Sequence, residues 1–205
     1  MRSFTTCTGH GAVLARDNVD TDLIVRIERM TQLKRGEFAP WAFESLRYRA
    51  DGSENPDFVL NRPPFRTAKI LLSGANFGCG SSREMAVWAL EDFGIRCVIA
   101  VSYGDIFYNN CLQNGLLPIR LPAAQIEALA APAVQGRLLH VDLAARTVTV
   151  ETGPCLTFDF PENARQALLQ GMDDIDQSLA IESRIRDFQA RDRAQRPWIY
   201  ADGAA

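Results

Sequence analysis

Runs of consecutive apolar residues alternate with helix-like segments in the middle of the chain. The apolar runs are AKILLSG (68–74), RCVIAVS (96–102) and LLPIRL (116–121), and each is typical of a strand buried on both faces. Between them lie SREMAVWALEDFG (82–94) and DIFYNNCLQNG (105–115), two helical segments that end at glycine, a common helix C-cap. This alternation predicts βαβ units and a parallel core sheet. Because Pro118 lacks a backbone N–H, it places the third strand near a sheet edge.

Other patterns precede this region. The segment AVLARDNVDTDLIV (12–25) predicts a strand, a tight acidic turn and a second strand. Residues 26–64 are polar and rich in arginine, and they predict a long irregular excursion with one short helix near residues 40–48.

The final third of the chain predicts a helix over residues 123–136, interrupted by Pro132, and two or three short antiparallel strands over residues 138–160. The tail, residues 161–205, predicts two helices. The second has a charged face and an apolar stripe formed by Ile175, Leu179, Ile185 and Phe188.

These patterns predict an α/β fold, in which a mostly parallel core sheet is flanked by helices and carries extra antiparallel strands and C-terminal helices. A length of 205 residues suffices for one domain with a substantial core. No repeat or linker-like segment divides the sequence, so we expect a single domain over residues 1–205.

Composition narrows the classes of partner. Apolar residues make up 47% of the chain and the net charge is −3, which favours a soluble globular protein and argues against nucleic acid or an anionic membrane as the main partner. No window approaches the roughly 18–20 uninterrupted apolar residues of a membrane span. The first residues show no apolar signal-peptide core. We therefore expect a cytoplasmic protein.

The five cysteines are odd in number and contain no CxxC pair, which favours a reducing compartment over a disulfide framework. Zinc and iron–sulfur sites favour clustered thiolates, and the two histidines are far apart. The sequence therefore predicts no metal site within this chain.

The segment NFGCGSSREMAVWAL (76–90) offers the main candidate for chemistry. It leads from a predicted parallel strand into a helix, so it lies at the sheet edge where open α/β sheets bind ligands. Gly78 and Gly80 allow a close backbone approach or positive φ angles. The helix N-terminus provides unpaired amides, and Arg83 provides a bidentate grip on a carboxylate. The segment thus predicts an anion site.

The two serines of this segment admit two interpretations. In the first, Ser81 or Ser82 is only a helix N-cap, which is a common role. In the second, a serine oxygen acts as a base or nucleophile and backbone amides stabilise its alkoxide, since no histidine is near in the sequence. Cys79 is another candidate nucleophile, because helix N-termini favour thiolates. It ranks below Ser81, since it lacks a neighbouring histidine or second cysteine.

Four blocks in one order and spacing go further than these physical arguments. NVDTDLIV (18–25), NPDFVLN (55–61), NFGCGSSRE (76–84) and NGLLPIRL (114–121) together resemble the small subunits of 3-isopropylmalate dehydratase, in which the aconitase-like swivelling domain is a separate chain. The resemblance is strong from Phe4 to Leu121 and covers the rest in length and pattern only.

The resemblance implies a β/β/α swivelling fold and a heteromeric hydro-lyase of leucine biosynthesis. The partner would be a large subunit that carries a [4Fe–4S] cluster, so no cofactor is expected in this chain. The substrate would be a small hydroxy-dicarboxylate, 2- or 3-isopropylmalate, whose hydroxyl group moves to the adjacent carbon by dehydration and rehydration.

The resemblance also implies roles for individual residues. Ser81 corresponds to the serine base that takes the proton from carbon. Arg83 corresponds to an arginine that binds a substrate carboxylate, with Ser82 and Gly80 beside it. A second carboxylate-binding arginine follows the DTD turn in the aconitase family, and Arg35 is the candidate for it.

The sequence departs from its relatives near these residues. The segment RIERMTQL (26–33), which in relatives contacts the variable group of the substrate, has Arg26 in place of a proline and Arg29 near a usually aromatic position. Met85 stands where relatives have histidine. These departures leave open a paralogue that acts on another alkylmalate or a methylated maleate, a non-catalytic anion-binding module, and a stand-alone cysteine enzyme that uses Cys79.

Overall fold

The computed structural model describes residues 1–200, and this part of the chain contains a mixed sheet of seven strands. The strands are β1 (Thr6–Leu14), β2 (Ile70–Ser73), β3 (Cys97–Ala100), β4 (Leu117–Arg120), β5 (Leu138–Asp142), β6 (Thr147–Val150) and β7 (Cys155–Thr157). Their order across the sheet is β4-β3-β2-β1-β5-β6-β7.

The longest strand, β1, joins two halves of the sheet. It pairs in parallel with β2, which continues in parallel to β3 and β4. On its other side it pairs antiparallel with β5, followed by β6 and β7. The predicted parallel core and antiparallel addition are confirmed. The strand that contains Pro118 lies at the sheet edge, also as predicted.

The longer helices of the described residues are α4 (Glu84–Phe93), α5 (Asp105–Asn114), α6 (Ala123–Val134), α7 (Glu162–Gln170) and α9 (Glu182–Gln195); the shorter ones are α1 (Thr21–Ile24), α2 (Ile27–Met30), α3 (Glu44–Arg47) and α8 (Asp174–Ala180). Contrary to the predicted interruption, α6 runs through Pro132 for two further residues. No helix among residues 1–200 combines the length and apolarity needed to cross a membrane.

Two hydrophobic cores lie on opposite faces of the parallel strands. Successive residues of a strand point to opposite faces. Leu71 of β2 therefore packs with α4 and α5, whereas Ile70 and Leu72 pack in the core that contains α6 and the antiparallel strands. All three side chains are fully buried. This burial on both faces explains why the parallel strands read as continuous apolar runs.

The segment after the first strand differs from its prediction. Residues 21–24 form α1 and not a second strand. Asp20 caps this helix, because its carboxylate accepts a hydrogen bond from the Leu23 amide at 2.7 Å. The excursion that follows contains α2, and the helix predicted near residues 40–48 is divided into a 3₁₀ turn (Ala39–Trp41) and α3.

The C-terminal tail contains three α-helices over residues 162–195 where two were predicted, and its last residues, 201–205, lie outside the described part of the chain. The predicted stripe is apolar but faces outward: its four side chains have exposed fractions of 36–70%.

Candidate active site

The loop of residues 74–83 joins β2 to α4 and is bonded along its length to the turn that precedes α1. This bonding joins two of the four sequence blocks, residues 18–25 and 76–84, into one structural unit. The backbone hydrogen bonds that join them are Asn18 N to Ala75 O (2.9 Å), Gly78 N to Val19 O (2.7 Å) and Thr21 N to Cys79 O (2.9 Å).

Two side-chain hydrogen bonds strengthen this unit. The Thr21 hydroxyl, which is buried, donates to the carbonyl oxygen of Ser81 at 3.1 Å. At the other end of the loop, the Asn76 side-chain amide donates to Asn18 Oδ1 at 2.8 Å. The Ser81 backbone is thus held by the DTD turn, although its side chain projects to the surface.

Gly78 packs closely against α5. Its φ angle is +72°, and a β-carbon at this position would overlap the ring of Phe107, a buried residue. A β-carbon at Gly104 would lie 2.7 Å from the Gly78 carbonyl oxygen. The overlap with Phe107 therefore excludes a side chain at Gly78, and the carbonyl contact excludes one at Gly104.

We expect Gly78→Ala to lower the free energy of unfolding by about 2–5 kcal/mol, because a left-handed alanine and an overpacked ring both cost energy. The matched control is Gly80→Ala. Gly80 also has positive φ (+91°), but the nearest atom to its β-carbon would be Asp20 Cβ at 3.5 Å, so about 1–2 kcal/mol is expected. Urea denaturation of both variants measures the difference. Equal losses would contradict the overlap with Phe107.

Neither serine caps α4. The N-cap residue is Arg83, which makes no side-chain capping bond, so the interpretation of Ser81 or Ser82 as a plain N-cap is wrong. Both serines are exposed, and within residues 1–200 neither hydroxyl has a hydrogen-bond partner. The backbone N–H groups of residues 82–85 likewise donate to no acceptor in the described chain, as expected at a helix N-terminus. Free amides and a free hydroxyl therefore share one surface.

Arg83 is held beside this surface by an acidic partner. Its guanidinium bonds the carboxylate of Asp22 in α1, and only 11% of its side chain is exposed, whereas 57% of Asp22 is exposed. The pairing fixes where the guanidinium lies and leaves its anion partner open to solvent. Asp22 is not among the site residues predicted from the sequence. The available signal was its position in the DTD turn, residues 20–22.

A buried amide network anchors the first turn of α4. Asn114, at the end of α5, donates to the Glu84 carboxylate at 2.9 Å and accepts a bond from the Trp88 indole at 3.0 Å. It is 3% exposed. Asn114 opens the fourth sequence block, so this block supports the site from behind. Met85, between these partners, is half-buried and packs on the same core.

The structure does not bring Arg35 to the serines. The guanidinium of Arg35 pairs with the Glu91 carboxylate at 2.9 Å. Glu91 is seven residues beyond Glu84 on α4, about 10 Å along the helix. Burial raises the pKa of Glu91, and the nearby Arg35 partly opposes this rise. In this chain Arg35 therefore stabilises a half-buried carboxylate at the far end of α4.

We expect Arg35→Ala to raise the pKa of Glu91 further, because it removes the cation that favours the ionised form. A carboxyl group whose pKa is higher in the folded than in the unfolded state makes the protein less stable as pH rises from the unfolded-state pKa through the folded-state pKa. The variant should therefore be most destabilised at pH values above the folded-state pKa of Glu91. Carboxyl-carbon NMR titration of Glu91 checks the shift. An unchanged pKa of Glu91 in the variant would show that Arg35 does not stabilise this carboxylate.

Of the other two arginines of the predicted site, Arg26 lines a separate cleft and Arg29 contacts two residues of its lining, Trp41 and Glu44. Arg29 is bonded to both oxygens of Glu44 (2.6 and 3.1 Å) and lies 3.4 Å over the Trp41 ring. Arg26 is exposed, pairs with Glu28 at 3.2 Å and lines a cleft of about 540 Å³ with Trp41 and Glu44. The guanidinium of Arg29 is therefore already occupied by Glu44 and Trp41, and Arg26 is the more solvent-exposed cation.

Residues 1–200 offer little to a metal ion. The five cysteines are free thiols, and three of them are buried. No group of three or more histidine, cysteine, aspartate or glutamate side chains with metal-binding geometry occurs within residues 1–200. Cys79 is half-buried in the loop, and its carbonyl oxygen accepts the Thr21 amide.

Comparisons with known proteins agree with this fold and these motifs. The aconitase C-terminal domain family matches residues 1–124. Among the most similar relatives, the 3-isopropylmalate dehydratase small subunits of Paramagnetospirillum magneticum and Roseobacter denitrificans are 47% and 46% identical, each over 201 residues that cover 97% of this chain and the whole relative.

A solved structure of 3-isopropylmalate dehydratase from Methanocaldococcus jannaschii aligns with a TM-score of 0.65 over 90% of this chain and 99% of that chain, at 24% identity, which shows a shared fold. The predicted aconitase-like fold and the resemblance carried by the four blocks are confirmed. The chain therefore belongs to the aconitase C-terminal domain family and, within it, to the 3-isopropylmalate dehydratase small subunits.

Proposed function

We propose that this chain is the small subunit of a heteromeric hydro-lyase that interconverts 2-isopropylmalate and 3-isopropylmalate in leucine biosynthesis. The observation that carries the proposal is similarity at 45–47% identity along nearly the whole chain to proteins named as small subunits of this dehydratase. We place the reaction in the cytoplasm and the whole chain, residues 1–205, in one swivelling domain.

Ser81 is proposed as the base that removes the proton from carbon. A serine hydroxyl is a weak base unless its alkoxide is stabilised, and dipoles aimed at a developing oxyanion provide such stabilisation. The unpaired amides of residues 82–85 and the dipole of α4 lie next to Ser81. Glycine at position 80 leaves the approach to this hydroxyl open.

Arg83 is proposed to bind a carboxylate of the substrate. Its guanidinium is already oriented by an acidic side chain, and arginine can bind a second carboxylate in bidentate geometry. Substrate would bind next to the paired groups, with Ser82 contributing its hydroxyl. The acidity of a carbon next to a carboxylate rises when that carboxylate is neutralised, so this contact also assists proton removal.

The partner is proposed to be a large subunit with a [4Fe–4S] cluster, and the complete active site would lie between the two chains. The cluster would supply a Lewis acid for the departing hydroxyl group. The exposed position of Ser81 and Ser82 supports this arrangement, because proton abstraction in an enzyme requires a site that excludes water and this chain alone leaves the loop open.

Substrate choice is proposed to depend on the cleft bordered by Arg26. The resemblance to the family implies departures at Arg26 and Arg29 in the segment 26–33 and at Met85 in α4. A cation at the accessible position 26 disfavours a purely apolar group nearby. A hydro-lyase for another alkylmalate or a methylated maleate is therefore the second candidate. It shares the proposed roles of Ser81 and Arg83.

The test is anaerobic co-expression with the large-subunit candidate whose gene lies nearest to the gene of this chain. The purified complex is then assayed. Formation of the unsaturated dicarboxylate is measured with 2- and 3-isopropylmalate, citramalate, homocitrate and dimethylmalate. Turnover of isopropylmalate by the complex and by neither chain alone is expected. Turnover of another acid only would establish the second candidate.

Two further outcomes would exclude the proposal. A stable complex that binds these acids without turnover would indicate a non-catalytic anion-binding module. Activity of this chain alone that is blocked by thiol alkylation would indicate a cysteine enzyme based on Cys79.

A further inference from the structure

A cleft of about 600 Å³ lies at the carboxyl end of β4. One wall comes from Tyr108 and from residues 120–125, and the opposite wall comes from Arg146 and residues 157–161. No residue of the loop 74–83 lines it. The cleft therefore lies where residues from both ends of the sheet meet beside the first turn of α6.

Arg120 presents a prepared cation to this cleft. It is the last residue of β4, and its guanidinium carbon lies 4.1 Å from the centroid of the Tyr108 ring and 6.0 Å from that of Tyr103. Such stacking holds the guanidinium in one orientation. Within residues 1–200 it has no carboxylate partner, so its N–H donors are available.

Two further features of the lining favour an anion. Arg146, in the turn between β5 and β6, also has no ion-pair partner in the described chain. The first turn of α6, from which Gln125 lines the cleft, has no side-chain cap, and the neighbouring amides of Ala123 and Ala124 have no acceptor among the described residues. Asp159 is the one carboxylate in the lining, so two cations outnumber it.

We propose that this cleft is a second small-molecule site, which binds the phosphate or carboxylate group of a metabolite through Arg120, Arg146 and the amide end of α6. Planar guanidinium groups and helix N-terminal amides share a preference for such oxyanions. The volume lies within the range of about 300–1,000 Å³ typical of small-ligand sites. Its lining shares no residue with the loop that contains Ser81.

The test is a titration of the full-length ¹⁵N-labelled chain with inorganic phosphate and, separately, with malonate at constant ionic strength. Saturable amide shifts confined to residues 120–125, 146 and 157–161 are expected with at least one of the two. Saturation by phosphate alone would assign a phosphoryl ligand, and saturation by malonate alone a carboxylate ligand. No saturation by either would overturn the proposal.

Variants separate a specific site from general charge attraction. Arg120→Ala and Arg146→Ala should each weaken binding about tenfold, and Arg120→Lys should weaken it less because the charge remains. Asp159→Asn should strengthen binding. The matched control is Arg137→Ala, an exposed arginine that is also unpaired in the described chain and lies outside the cleft. Equal affinity in all variants whose spectra show the native fold would overturn the proposal.

Discussion

Ser81→Ala is expected to lower kcat of the assembled enzyme by about 10²–10⁴-fold, the usual contribution of a positioned general base. The side chain is exposed and makes no hydrogen bond within residues 1–200, so its removal leaves no buried group unpaired. The free energy of unfolding should change by less than about 0.5 kcal/mol. A large loss of rate without a loss of stability is the result that only a chemical role explains.

Substrate binding should survive this change, because the proposed carboxylate contacts come from Arg83 and the Ser82 hydroxyl. We therefore expect kcat to fall while KM stays close to its original value, the pattern of an interaction made mainly in the transition state. Steady-state kinetics of the anaerobic complex measure both constants. Isothermal titration with a non-reactive dicarboxylate checks binding separately.

Ser82→Ala is the matched control, since the neighbouring serine has the same exposure and also lacks a partner among the described residues. Its variant should lose far less activity. If Ser82→Ala proved the more damaging of the two, the base would be Ser82. If neither changed kcat, proton abstraction would belong to the partner subunit.

The parallel half of the fold was predictable because its signals are local. Each of β2, β3 and β4 is a short apolar run, and α4 and α5 each end at a glycine in the left-handed region, Gly94 and Gly115. These signals need no knowledge of the remaining chain. They also set the position of the loop 74–83 at the carboxyl edge of the sheet, which is why Ser81 and Arg83 became candidates.

The segment LIV (23–25) shows where local signals failed. Three apolar residues after an acidic turn predicted a strand. In the structure, Asp20 instead caps the helix Thr21–Ile24 and forms an isolated β-bridge with Cys79 of the serine loop. The helix cap therefore determined the local structure. The turn that contains Asp20 is held in place by hydrogen bonds to the loop of residues 74–83. That engagement is a tertiary contact, which no local pattern contains.

Partners far apart in sequence explain the gaps in the predicted site. Asp22 and Arg83 are separated by 61 residues, and Glu84 and Asn114 by 30. Residue types alone do not specify such pairings. Arg35, the candidate for a second carboxylate-binding arginine, likewise has a distant partner, because it pairs with Glu91 of α4.

Arg83→Ala is expected to lower kcat/KM of the assembled enzyme by about 10²–10³-fold. Two charge-assisted hydrogen bonds to a substrate carboxylate are equivalent to about 3–4 kcal/mol, and each 1.4 kcal/mol corresponds to a factor of ten. Stability should change little, because the pair with Asp22 includes a largely exposed carboxylate and such pairs contribute about 0–1 kcal/mol. Arg83→Lys should recover only part of the loss, because an ammonium group lacks the planar fork.

Asp22→Asn tests whether the acidic partner acts through Arg83. The guanidinium remains in this variant but loses the carboxylate that orients it, so a smaller loss of kcat/KM is expected than for Arg83→Ala. In the double variant the effects should not add, since an orienting residue has no function once its target is absent. The control is Arg66→Ala, which removes an exposed ion pair with Glu54 and should leave kinetics unchanged. Fully additive losses at Asp22 and Arg83 would contradict the positioning role and indicate that Asp22 contacts the substrate or the partner subunit itself.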